Sequence, residues 1–361
     1  MAGHASWVLA ISFVWLQACL AFMMSSFSRL AVSSKMLATF AWVALLSSCA
    51  MATSVAPPVK GNPQLKKDHY VSYDNEKFGY RKWLPKFTAH QDPAIVIIGV
   101  HGISGHAGDY DNLAHYLLKH RQDVALYAAE TRGQGMDPKE CRRGDVRRVE
   151  QWYKDLVVFT ELVRQEHPKS KIVWFGESMG SLIVMHGYQN ARREQRPHAM
   201  AISSPIIEVD SELPTWKLLA AKCAAILFPK ARISLESLSD GRRPMVTKED
   251  IHEQQAAKNP WYIRRYTLRL LVGLGDLAQS MDQMAPAVSC PVLVLHGGKD
   301  FFTQEDKVND FCNSFDQSID KTHHYYPSSY HLLMYDHQRA QIFSDISSWL
   351  NKIGDHQRSS K

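Results

Sequence analysis

One stretch, KIVWFGESMGSLIVMHG at residues 171–187, restricts the fold more than any other part of the chain. Its first half is a continuous apolar run with β-branched residues, the pattern of a strand buried on both faces. Its second half, from Ser181, is an apolar run of helical length. Between them the chain must turn sharply, and Gly176 and Gly180 are small enough to let a strand and a helix pack closely. The turn does not require a serine at its apex. Serine is a common helix N-cap, but an N-cap does not need glycines two residues away on both sides. The strand–turn–helix context of G-x-S-x-G therefore predicts that Ser178 presents its hydroxyl out of the fold as a nucleophile.

Strand and helix alternate around this elbow. Strand candidates lie near 69–73, 78–83, 94–102 (AIVIIGVHG), 123–130 and 198–207. Helices are predicted over DYDNLAHYLLKHR, DVRRVEQWYKDLVVFTELVRQEHP and SLIVMHGYQNARRE, the second stopped by Pro168. Such alternation predicts an α/β fold, a mostly parallel doubly wound sheet with helices on both faces. Residues 209–288 break the rhythm, with helix-like pieces such as TWKLLAAKCAAILF and RRYTLRLLVGLGDL and no clear strand. They are expected to form an all-helical cap, inserted where a doubly wound sheet presents its carboxyl ends and binds ligands. The rhythm returns with CPVLVLHGGKD, a strand near 321–326 and a closing helix from about 337 to 353. The core domain is thus expected over 68–208 and 289–356, with the cap at 209–288.

A serine hydroxyl is a poor nucleophile until a base removes its proton. Among 17 histidines, His331 in YPSSYHLLMYD lies after the last strand candidate and before the final helix, where such a base belongs. His323 and His324 fall on the strand itself and read as packing or surface residues, and His101 reads as a support for backbone geometry. The base needs an acid to hold its tautomer. Asp300 closes PVLVLHGGKD immediately beyond a buried strand; Asp210, after the preceding strand, is the rival, and Asp306 reads as a solvated helix residue. Two backbone N–H groups should bind the oxyanion of the tetrahedral intermediate. Met179, next after the nucleophile, and Ile103, in the glycine-rich loop after VIIGVHG, are the candidates. This chemistry requires no metal and no cofactor.

The 361 residues carry a net charge of +6, with 42 basic against 36 acidic side chains and no long Lys/Arg block. That argues against a nucleic-acid partner and leaves room for weak attraction to an anionic membrane surface. Cys19, Cys49, Cys141, Cys223, Cys290 and Cys312 form no C-x-x-C pair and no metal-ligand spacing; the first two lie in the apolar N-terminal region, and the other four read as buried free thiols, with a disulfide the alternative if the domain is exported. Residues 1–49 read as an apolar targeting region, with apolar runs at 7–24 and 36–46. Counted from Met24 it has a basic start, an apolar stretch and small residues, the order of a signal peptide. Leu46, Ser47, Ser48 and Cys49 resemble the lipobox of bacterial lipoproteins, which implies a lipidated Cys49 and a bacterial cell-envelope location; an uncleaved membrane anchor is the alternative. Residues 50–67 are polar and Pro-containing, as a tether would be.

Together, HGISGHAGDY, GESMGS, LHGGKD and YHLLMYD resemble the monoacylglycerol lipase and lysophospholipase branch of the α/β-hydrolases, and WKLLAAKCAAILFP resembles the first cap helix of that branch. The resemblance covers most of residues 68–354 and implies a serine esterase acting on single-chain lipid esters, with the triad Ser178, Asp300 and His331 and oxyanion donors Ile103 and Met179. Gln134 stands where the branch usually has histidine, a departure expected to affect local packing and not the triad. In the cap, Trp216, Leu219 and Phe228, with Leu218, Ile226 and Leu227, are expected to line an acyl-chain tunnel or to pack the cap onto the core. Arg242, Arg243, Arg264 and Arg265 read as solvated charges, with a phosphate headgroup as the alternative partner. A small-ester hydrolase, an aminopeptidase or a non-catalytic lipid-binding protein on the same scaffold are the competing functions.

Overall fold

The computed structural model describes residues 61–86, 92–207, 215–234, 245–248 and 259–355, with only the backbone of residues 215–217 and 355. The targeting region with Cys49, and Asp210, Arg242 and Arg243, lie outside the described residues.

Eleven strands and eight α-helices are described. A nine-stranded sheet has the order β1-β2-β3-β5-β4-β6-β7-β10-β11. Its first three members, β1 (Gln64–Leu65), β2 (His69–Val71) and β3 (Lys77–Trp83), are antiparallel, and β3 is antiparallel to β5 (Val124–Ala129). From β5 onward the sheet is parallel through β4 (Ile95–Val100), β6 (Lys171–Glu177), β7 (Ala199–Ser203), β10 (Val292–Gly297) and β11 (Lys321–Tyr326). The sheet starts earlier than expected: Gln64 and Leu65, assigned from sequence to the tether, pair with Val71 and Tyr70.

Every residue of β4 and β10 is buried, because the sheet is covered on both faces. Alternate residues along these strands feed two separate cores. Val96, Ile98, Ile172 and Trp174 face α2 (Glu150–Glu166) and α3 (Met179–Asn190), whereas Ile95, Ile97, Val173 and Phe175 face α1 (Asp111–His120) and α8 (Arg339–Asp355). The period of two that a half-buried strand would show is therefore invisible in the sequence, and a continuous apolar run takes its place.

The chain leaves β4 towards β5 on one side and later returns to β6 on the other, so β4 and β6 are neighbours, with Val100 opposite Gly176. This is the switch point of the sheet, where a crevice opens beyond the carboxyl ends.

The cap holds α4 (Thr215–Leu227) and α5 (Leu268–Gln279), followed by the single turn α6 (Met281–Met284). It is not all helical. Arg232–Ile233 (β8) and Tyr266–Thr267 (β9) form a two-residue antiparallel ladder, too short to leave any alternating pattern in the sequence. The helix expected from residue 145 begins at Glu150, because the Asp145 carboxylate is taken by Thr267 (2.8 Å) and Arg269 of the cap. The closing helix follows α7 (Glu305–Ser314) and β11, as expected.

The tightest packing is at the start of α3. A Cβ on Gly180 would collide with the Val100 carbonyl, and one on Gly176 with the Gly180 carbonyl, so β4, β6 and α3 meet backbone to backbone. Gly180→Ala is expected to cost upward of about 3 kcal/mol, since backbone cannot yield as a side chain can. Denaturant unfolding of the variant against wild type measures it, and a loss under about 1 kcal/mol contradicts the packing.

Candidate active site

Ser178 joins β6 to α3 with φ 54° and ψ −118°, a conformation unfavourable to a residue with a Cβ. Its N–H donates to Ser203 O (3.0 Å) at the end of the neighbouring strand, and its carbonyl accepts from Ser181 Oγ (2.5 Å). So held, the side chain points to the loop after β11. His331 Nε2 lies 2.8 Å from Ser178 Oγ, and His331 Nδ1 lies 2.7 Å from Asp300 Oδ2. Ser178 is 4% exposed and the Asp300 side chain is fully buried.

Each group is fixed by its own loop. Asp300 follows β10, and its second oxygen accepts from Phe302 N–H (2.8 Å). Burial opposes its ionised form, but the His331 ring and the Phe302 N–H outweigh burial and hold its pKa below the ordinary carboxylate range. An ionised Asp300 requires the Nδ1–H tautomer of His331, which leaves the Nε2 lone pair for the serine proton. Around His331, the Tyr330 N–H donates to Asp336 (2.8 Å), the His331 carbonyl accepts from Ser204 Oγ (2.5 Å), and Leu332 N–H donates to Val246 O of the cap (2.7 Å). The Phe302 ring stands edge-on to the imidazole, centroids 4.6 Å apart.

The loop after β4 comes up beside the elbow. A Cβ on Gly102 would sit 3.2 Å from Ser178 Cβ and 3.7 Å from its Oγ, so the backbone leading into Ile103 lies against Ser178. Met179 is the first residue of α3, and its N–H is among those a helix leaves without an intrahelical acceptor. The buried His101 donates from Nδ1 to Gly102 O (2.8 Å) and accepts Thr131 N–H at Nε2 (3.1 Å); burial lowers its pKa to about 4, so the ring is neutral. Beyond Ile103, the Ser104 N–H donates to the buried Gln134 (3.1 Å), and Ser104 Oγ bonds Ile263 O (3.1 Å) and the Tyr266 hydroxyl of the cap. Gln134, the departure from the resembling branch, thus sits directly beneath this loop.

The structure brings Ser178, His331 and Asp300 into one hydrogen-bonded row and sets Ile103 and Met179 beside it. It does not do the same for the tunnel residues. Leu219 is 63% exposed on the outer face of α4, as are Ile226 and Leu227, and Phe228, just past its end, is 65% exposed. They neither wall an enclosed tunnel nor pack the cap onto the core; α4 buries Ala225 instead. The Trp216 side chain lies outside the described residues, and Arg264 and Arg265 are exposed. Cys141 and Cys223 are exposed rather than buried, and the four described cysteines are free. Among the described residues no group of three His, Cys, Asp or Glu side chains could hold a metal ion.

Sequence reasoning missed Ser104, Ser204, Tyr266 and Glu177. The first three act through backbone conformation or cap docking, which residue type alone does not announce. Glu177 was visible as a charge between two apolar runs. It is 2% exposed and its Oε1 has no hydrogen-bond partner.

The parallel sheet, the strained serine elbow and the Ser–His–Asp row define an α/β-hydrolase. Within that class the chain belongs to the serine aminopeptidase S33 family (Hydrolase_4), whose model matches residues 91–338. It is 26% identical to a monoacylglycerol lipase of Mycolicibacterium smegmatis over 265 residues, 73% of this chain and 90% of that one. It is 25% identical to the human monoglyceride lipase over 290 residues, 79% of this chain and 90% of that one. Among solved structures, a soluble variant of the Saccharomyces cerevisiae monoglyceride lipase in complex with a substrate analogue superimposes with a TM-score of 0.65 at 17% identity, covering 83% of this chain and 96% of that one.

Burial, helped by the charge of Asp109, raises the Glu177 carboxyl from its ordinary 4.5 to about 8. Between these values the unfolded chain is ionised here and the native one is not, so the unfolded state binds fewer protons and stability falls as pH rises. Glu177→Gln is therefore expected to melt higher than wild type, with a gap that opens above pH 4.5 and levels off above about 8. Melting curves across that range read it, and a gap independent of pH contradicts the assignment.

Proposed function

We propose that this protein is a serine hydrolase that cleaves the acyl ester of single-chain lipids, monoacylglycerols or lysophospholipids, through an acyl-enzyme. The observation that carries the reading is the row Asp300–His331–Ser178, with spacings of 2.7 and 2.8 Å at the start of a buried helix. The substrate class is supported by the monoacylglycerol and monoglyceride lipases that match this chain over about nine-tenths of their own length.

In this mechanism Ser178 Oγ attacks the ester carbonyl carbon while its proton passes to His331 Nε2. The carbonyl oxygen takes the electron pair and lies between the N–H groups of Ile103 and Met179, donors each worth about 100- to 1,000-fold in rate. Asp300 stabilises the imidazolium without taking its proton. His331 then protonates the departing alcohol oxygen as the C–O bond breaks. Water attacks the acyl-enzyme, giving its proton to His331, which returns it to Ser178 as the fatty acid leaves.

The test is a substrate panel of monoacylglycerol, lysophosphatidylcholine, a short p-nitrophenyl ester and an aminoacyl p-nitroanilide. Turnover of the first two is expected to exceed the rest. Ser178→Ala should lower kcat by roughly a million-fold and Asp300→Asn by roughly ten-thousand-fold, through the wrong tautomer. Preference for the anilide favours the aminopeptidase reading. Absence of fluorophosphonate label on Ser178 in folded protein leaves a non-catalytic lipid-binding role.

We also propose that the protein works against a lipid surface. Leu219, Ile226 and Leu227 share one side of α4, and Phe228 follows its end; all are more than half exposed. A cluster of this kind on a folded surface marks a contact site, and each such side chain gains about 1.5–3 kcal/mol on full burial. The sequence adds a lipid anchor at Cys49 in a bacterial envelope as a second, independent attachment. Leu227→Ser with Phe228→Ser is expected to weaken sedimentation with anionic vesicles while leaving turnover of the short ester intact. Cys49→Ala is expected to move the full chain from the membrane to the soluble fraction of cells. Unchanged partition in either variant removes the corresponding attachment.

A further inference from the structure

Among the described residues the non-glycine residues with positive φ are Asn75, Ser104, Ser178 and Ser204. Three of the four are serines, and all three are at the site. Ser178 is the elbow and Ser104 braces the loop beside it. Ser204 lies immediately after β7, with φ 47°, and is fully buried. A residue that needs only this backbone shape would be glycine, which adopts it freely. What serine adds is a hydroxyl, and this hydroxyl donates to the carbonyl of His331 at 2.5 Å.

The surrounding bonds give that contact its meaning. Ser203 O accepts the amide of Ser178 (3.0 Å). Ser204 N–H donates to Leu295 O (2.8 Å), which extends the pairing with β10 beyond the ladder. Pro205 O accepts from Thr303 Oγ1 (2.8 Å), the same hydroxyl accepts from Ile207 N–H (3.3 Å), and Thr303 O accepts from His296 Nε2 (3.1 Å). Successive residues of one segment, 203–207, therefore hold the nucleophile, the base and the loop that carries the acid. Ser204 is the member that reaches the base, and its positive φ turns the side chain away from the β7 ladder.

We infer that Ser204 is a positioning residue for His331, holding the base by its own carbonyl in line with Ser178 and Asp300. The inference rests on the proposed serine-hydrolase reading. A displacement of the order of 1 Å at a reacting group costs about 100-fold in rate. Loss of this bond therefore belongs in kcat and not in KM, because Ser204 is buried behind the base.

The test compares Ser204→Ala and Ser204→Gly with wild type on the short p-nitrophenyl ester, with Ser178→Ala as the background. Both variants are expected to lose roughly 10- to 100-fold in kcat, with KM within about twofold. The acid limb of kcat/KM and the downfield proton resonance shared by His331 and Asp300 should shift in both. Ser204→Gly relieves the backbone strain, so if Ser204 serves only the backbone this variant is as active as wild type or more so. That result overturns the inference, as does kcat within twofold of wild type in either folded variant. Failure of both variants to fold also overturns it, since the hydroxyl would then be a folding element. Lack of Ser178-dependent turnover in wild type removes the hydrolase reading itself, a different failure from an active wild type with active Ser204 variants.

Discussion

The site depends on a backbone collision that never happens. Gly180 lets α3 press against the Val100 carbonyl, and Gly176 lets β6 run beneath it. Only this closeness forces the chain at Ser178 into a positive φ, at a cost on the order of 1–3 kcal/mol. The cost is offset by what the turn allows: ten of the twelve residues of α3 are buried between the sheet and its neighbouring helices. The same geometry puts the start of a buried helix at Ser178, where helix N–H groups and their partial positive charge favour an anion.

Two acids near the elbow are treated in opposite ways. Asp300 has both oxygens occupied, by His331 and by the Phe302 N–H, and stays ionised despite complete burial of its side chain. Glu177 has an oxygen with no partner, and burial raises its carboxyl to about 8. A charge at Glu177 would sit one residue from Ser178 and close to the charge of Asp109. The opposite shifts of the two carboxyls are set by burial and hydrogen-bond supply, not by residue type.

The cap does more than cover. Its Ile263 and Tyr266 hold Ser104 next to Ile103, its Val246 holds Leu332 next to His331, and its Arg269 and Thr267 clamp Asp145 of the core. Both loops that flank Ser178 are thus mounted partly on the core and partly on the cap. The leucines and phenylalanine on the outer face of α4 play no part in this mounting. The bonds that mount the two loops and the exposed apolar residues are therefore carried by different parts of the cap.

By itself the sequence indicated most of the order of strands and helices, the elbow at Ser178, and the loops on which Asp300 and His331 stand, because each is written locally. Buried strands are runs of apolar residues, a tight strand-to-helix turn needs glycine on both sides, and a loop after a buried strand is where a polar side chain can reach the crevice. Tertiary structure alone decided the rest. Residues 232–233 and 266–267 pair across more than thirty residues in a ladder too short to carry a pattern. The outward face of α4 depends on which side α5 covers, and apolar residues look the same whether they wall a tunnel or meet solvent. Ser104 and Ser204 earn their roles from backbone angles imposed by neighbouring strands and from partners 162 and 127 residues away. Such roles come from distant chain segments meeting in space, and a linear code of residue types does not record that meeting.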